Sequence, residues 1–97
     1  MNTPTPSPVP PDREPLITFP SRFPIKVMGA KAEGFPEAMT HIARQFDPAF
    51  GPADIEHRES SKGNYTGLTL IITATSREQL DEIYRTLSTH PMVKVVL

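Results

Sequence analysis

The 97 residues carry ten Lys or Arg against eleven Asp or Glu, a formal charge of −1, with no cysteine and twelve prolines. A chain of this length has room for one modest core, which leaves little apolar material to line a deep substrate cavity. The even charge balance argues against nucleic acid as a partner, and the missing cysteine excludes disulfides, thiolate catalysis and cysteine-bound zinc or iron–sulfur clusters.

In chain order, residues 1–18 come first, opening MNTPTPSPVPPDREP with prolines at 4, 6, 8, 10, 11 and 15. That density rules out a helix interior and strips a strand of its amide donors. The segment reads as a disordered Pro-rich tail, and its Pro-x-x-Pro spacings, such as Pro8 to Pro11, have the form of a polyproline II ligand. One folded domain is expected over residues 19–97. In SRFPIKVMG, Phe23, Ile25 and Val27 recur with the two-residue period of a half-buried strand, closed by Gly29. The period then changes. Phe35, Met39, Ile42, Ala43 and Phe46 form one stripe of a helix that Pro36 can start and Pro48 must end.

GPADIEHRES predicts a second, polar strand in which Ile55, His57 and Glu59 share a face. After SSKGNY comes the clearest strand of the chain, where Leu68, Leu70, Ile72 and Ala74 alternate with Gly67, Thr69, Ile71 and Thr73. Ser76 and Gln79 have the spacing of a capping box, with the serine oxygen accepting a first-turn amide and the glutamine reaching back to the cap's own amide. The helix they open buries Leu80, Ile83, Tyr84 and Leu87, and sets Arg77 four residues from Asp81 and Asp81 four from Arg85. MVKVVL supplies a fourth strand.

The order β-α-β-β-α-β predicts a ferredoxin-like α+β fold, a four-stranded antiparallel sheet with two helices on one face. Strands one and three are then central. The charged second strand suits an edge, whereas the fourth, apart from Lys94, lacks protection and is expected to meet a partner or a second copy.

SSKGNY falls at the hairpin tip between strands two and three. Gly63 and Asn64 satisfy ordinary turn chemistry. Ser60, Ser61 and Lys62, with Gly63, Asn64 and Tyr65 beside them, are the candidate ligand-binding residues: two hydroxyls, an ammonium and free amides can hold a carboxylate or phosphate. KVMG at 26–29, SSKGNY at 60–65, TAT at 73–75 and the closing VKVVL together resemble the YbeD-like family of small bacterial proteins of unassigned function. The resemblance covers about residues 19–97. It implies a ferredoxin-like fold similar to the ACT-type regulatory domains that bind amino acids, and it brings no activity and no catalytic residues. The Pro-rich tail stands as an extension beyond that pattern.

No reactive constellation emerges. KGNYTGLTL begins like an RNA-recognition signature, but Asn64, Gly67 and Thr69 occupy places that need stacking platforms, leaving Tyr65 alone. His57-Arg58-Glu59 has the His-x-Glu form of zinc deaminases without their cysteines, and His41, His57 and His90 form no local pair with ligand spacing. Ser60 and Ser61 beside Lys62 lack a recognisable oxyanion hole. The expectation is a protein that is not an enzyme, with no metal and no cofactor. No apolar run nears the roughly 18 residues of a membrane span and no signal-peptide core opens the chain, so no membrane role and a cytoplasmic address are expected.

If Phe23, Ile25, Val27, Leu68, Leu70 and Ile72 face the helices, then Lys26, Met28, Tyr65, Thr69, Ile71, Thr73 and Lys94 lie on the open side of the sheet. Met28, Tyr65 and Ile71 give that side an apolar tinge. The leading expectation is a regulatory or adaptor domain acting through protein contacts, as a monomer or weak homodimer. The alternative is an ACT-like sensor of an amino acid or anionic metabolite.

Overall fold

The computed structural model describes residues 18–59 and 62–97. The expected Pro-rich tail lies outside them but for its last residue, as do Ser60 and Ser61. The described elements are β1 (Ser21–Ala30), α1 (Phe35–Phe46), a short 3-10 turn (Pro52–Asp54), β2 (Ile55–Glu59), β3 (Tyr65–Ala74), α2 (Arg77–Ser88) and β4 (Val93–Val96). The four strands form one antiparallel sheet in the order β2-β3-β1-β4. This is the ferredoxin-like arrangement that the element order implied, with β1 and β3 central.

Alternation decides which face each strand buries. Ile25, Val27 and Gly29 of β1 point inward, as do Leu68, Leu70, Ile72 and Ala74 of β3. Against them pack Phe35, Met39, Ile42 and Ala43 of α1 and Leu80, Ile83 and Leu87 of α2. Each large side chain taken out of water here contributes about 1.5–3 kcal/mol before ordering costs. Phe46 and Tyr84, read as members of the helical stripes, pack at the margin of this core. Phe50 is fully buried although it belongs to neither helix nor strand. Gly29 marks the closest approach: a Cβ there would stand 2.2 Å from the Met92 carbonyl oxygen and 2.9 Å from the Phe35 ring.

The ends of α1 and α2 are tied to β3 by polar groups. Asp47, nine-tenths buried, ends α1 with an extended backbone and accepts the Thr73 amide at 2.9 Å. Thr73 lies beyond the end of β2, so its amide has no strand partner on that side and the carboxylate supplies one. Ser76 caps α2 as expected, accepting the Gln79 amide at 3.0 Å. Gln79, however, does not return to the Ser76 amide. Its oxygen accepts the Thr75 amide at 2.7 Å, and its nitrogen donates to the carbonyls of Phe46 at 3.0 Å and Thr73 at 3.4 Å. The longer reach satisfies α1's final carbonyl and joins three elements at one side chain. On the wet side of α2, Arg85 pairs with Glu82, not with Asp81.

Candidate functional site

The open sheet face is built row by row from the strand register. One row runs Arg58, Gly67, Met28, Val95; the next runs Glu56, Thr69, Lys26, Leu97. Leu97 enters the second row because it exchanges both backbone bonds with Lys26, at 2.7 and 3.1 Å. Gly67 has no side chain, so a shallow depression of about 370 Å³ opens between the β2 residues and the β4 end of the sheet. Met28, Val95 and Leu97 supply its apolar wall, and Lys26, Glu56 and Arg58 its polar rim. The large hydrophobic residues exposed among the described residues are Met28 at 43 %, Tyr65 at 42 %, Val95 at 44 % and Leu97 at 71 %. All four lie on this face.

Of the residues assigned to this face by alternation, Lys26, Met28, Thr69 and Ile71 stand on it. Ile71 sits opposite Pro24, two rows from Met28, so it does not join Met28 in one patch. Lys94 falls where the β1–β4 register slips between Met28 and Gly29, and Val95 takes the place beside Met28. Simple alternation from Val93 would send Val95 inward; one inserted residue reverses the parity. The same irregularity alters the expected character of the β4 edge. A four-residue strand with a register slip and an exposed lysine is a blunted edge, not an open one.

At the hairpin tip, Lys62 is exposed and Gly63 adopts φ 73°, the left-handed turn conformation that glycine takes without strain. The Asn64 carbonyl accepts the Lys31 amide at 3.0 Å, which extends the β1–β3 ladder, and Tyr65 is the first residue of β3. Lys31 also pairs with Glu59 at 3.1 Å, so the base of the hairpin is fastened by an exposed ion pair. Turn geometry thus accounts for Gly63. At the opposite end of the sheet, Arg22 donates to Asp54 at 2.5 Å and to the Thr73 hydroxyl at 3.0 Å. The Gly51 amide and then the Arg22 guanidinium hold the Asp54 carboxyl below the usual aspartate range.

A family model described as "Protein of unknown function (DUF493)" matches residues 14–97. The chain belongs to the DUF493 family. Relatives carry the name UPF0250 protein: one from Leptothrix cholodnii is 61 % identical over 87 residues, covering 90 % of this chain and 96 % of the relative. One from Ralstonia nicotianae is 57 % identical over 91 residues, 94 % of each chain, and one from Bordetella parapertussis is 56 % identical over 87, covering 90 % of this chain and 96 % of its own. A match over 91 of 97 residues takes in part of the Pro-rich segment, so DUF493 similarity reaches further toward the N-terminus than residue 19.

Among the described residues of this DUF493 chain, no three His, Cys, Asp or Glu side chains gather as metal ligands. None of its described helices is long and apolar enough to cross a membrane. What the DUF493 sheet face offers chemically is a hydrophobic trough with charged margins, suited to contact. The sequence alone did not place Val95, Leu97, Glu56 and Arg58 on it. The alternation of β2 could have yielded Glu56 and Arg58, but the slip that turns Val95 outward has no local signal.

Proposed function

We infer that this DUF493 member is a non-enzymatic regulatory or adaptor domain that docks a segment of another protein on the open face of its sheet. The observation that carries this reading is the collection of Met28, Tyr65, Val95 and Leu97 on one face, while the other large apolar side chains among the described residues are at least partly covered. An exposed apolar cluster with a polar rim is a recurring mark of a contact surface. The occupant that fits is an apolar anchor side chain lying over Gly67, flanked by a carboxylate that meets the exposed Lys26 ammonium.

Two substitutions on separate surfaces test it. Partner capture by the full chain is expected to fall about tenfold or more with Val95→Lys and to survive Lys62→Ala. Capture lost with Lys62→Ala and kept with Val95→Lys would move the function to the hairpin tip and favour the small-ligand sensor. An amide correlation spectrum titrated with amino acids, phosphorylated metabolites and nucleotides gives the same decision without a partner: saturable shifts centred on residues 62–67 would overturn the docking reading.

A further inference from the structure

The direction in which each backbone group of the sheet points follows from one observed pair. Lys26 and Leu97 exchange both backbone hydrogen bonds, so the polar groups of Lys26 face β4. Alternation then turns Ile25 and Val27 toward β3, their partners Leu70 and Leu68 toward β1, and Gly67 and Thr69 toward β2. The Thr73 amide, which donates away from β1 to Asp47, and the Lys31–Asn64 bond both have the parity this requires. Glu56 and Arg58, opposite Thr69 and Gly67, therefore spend their backbone groups on β3. Ile55, His57 and Glu59 present theirs to the outside, along a five-residue edge with no proline and no register slip.

That edge is its own complement. In an antiparallel pairing with a second copy about a two-fold axis through His57, the two His57 residues exchange backbone bonds. Glu56 then stands directly opposite Arg58 of the second copy, and Arg58 opposite its Glu56. Directly opposed unlike charges on adjacent strands stabilise the pairing, whereas like charges oppose it. The order Glu-His-Arg thus discourages strands of other sequence while suiting one that is identical and antiparallel.

The helix side repeats the pattern. Glu37, Thr40, His41 and Arg44 of α1 line a depression with Ile55 and His57 of β2. A two-fold at the β2 edge reverses α1 as well, bringing Glu37 of one copy toward the level of Arg44 of the other, with Thr40 and His41 between. The charge order along α1 is therefore compatible with the same operation that pairs Glu56 with Arg58.

We propose that the chain self-associates through its β2 edge, forming a continuous eight-stranded antiparallel sheet in which Glu56 and Arg58 pair across the two-fold. The open-face residues Met28, Val95 and Leu97 stay uncovered in this assembly, which carries two copies of the depression on one extended surface. The proposal is independent of the docking function.

Sedimentation velocity of the full chain up to about 500 µM, at low and physiological salt, measures it directly. The expected result is a concentration-dependent dimer that weakens as salt rises, since the paired charges are exposed. Glu56→Arg and Arg58→Glu each set like charges face to face and are expected to weaken the dimer about tenfold or more; the double charge reversal restores it to within about threefold. Circular dichroism monitors folding of each variant, whose changed side chains are exposed in the monomer. A wild-type chain that stays monomeric throughout overturns the proposal, as does a dimer indifferent to the single reversals or unrestored by the double. Loss of the dimer with Val95→Lys alone would place association on the open face instead, and would also overturn it.

Discussion

At the residue scale, Asp54 shows how surroundings act on a carboxylate. It accepts the Gly51 amide at 2.9 Å and the Arg22 guanidinium at 2.5 Å, and both favour its ionised form. Because the folded pKa lies below the ordinary aspartate value of 3.8, the stabilisation is fully present above that value and is lost as pH falls through the lower folded one. Urea unfolding between neutral pH and the acid limb is expected to show this loss, and Asp54→Asn to flatten it. A steeper acid limb in Asp54→Asn than in the wild type would contradict the assignment. Tyr84 is shifted the other way, because burial disfavours its phenolate, and its hydroxyl donates to the Leu97 carbonyl at 3.4 Å. Gly29 shows a different kind of residue requirement, spatial not conformational, imposed by the Met92 carbonyl and the Phe35 ring.

At the element scale, helix termini are fixed less by their own sequence than by what they must satisfy. The Ser76 cap is a local device, readable four residues at a time. Gln79 is not: it links the N-terminus of α2 to the last carbonyl of α1 and to the end of β3. Gln79→Ala removes these bonds and leaves the part-buried Phe46 carbonyl without this donor, for an expected loss of about 1–3 kcal/mol in chemical denaturation. A loss no larger than that of an exposed α2 site such as Glu78→Ala would show that water replaces the amide at no cost. The strands divide similarly. β3 is legible from its strict alternation, whereas the outward turn of Val95 in β4 depends on a slip against β1 that four residues of VKVV do not announce.

At the scale of the whole molecule, one sheet separates two unlike surfaces. The inner face holds a core shared by both helices, with Leu70 and Ile72 at its centre; the outer face holds the exposed apolar cluster. Leu70→Ala is expected to cost about 2–5 kcal/mol, through lost burial and the cavity left behind. Val95→Lys should change stability by no more than about 0.5 kcal/mol, since Val95 is 44 % exposed at the sheet surface and a lysine stem can lie over the same neighbours. Thermal and urea unfolding of the two variants measure the difference directly. Comparable losses would mean that Val95 belongs to the core and not to a contact surface.

The sequence by itself determined the element order, the apolar stripes of both helices, the inward residues of β1 and β3 and the cap of α2, because each is written in bonds and periodicities spanning a few neighbouring residues. The left-handed turn at Gly63 was legible in the same way. The burial of Phe50 and Asp47, the reach of Gln79, the presence of Val95 and Leu97 beside Met28, and the outward backbone groups of β2 were decided only by tertiary structure. The physical reason is common to them. Strand register, and therefore which side chain meets which and which amide is left for a partner, belongs to a pair of strands distant in sequence, and a single inserted residue inverts it.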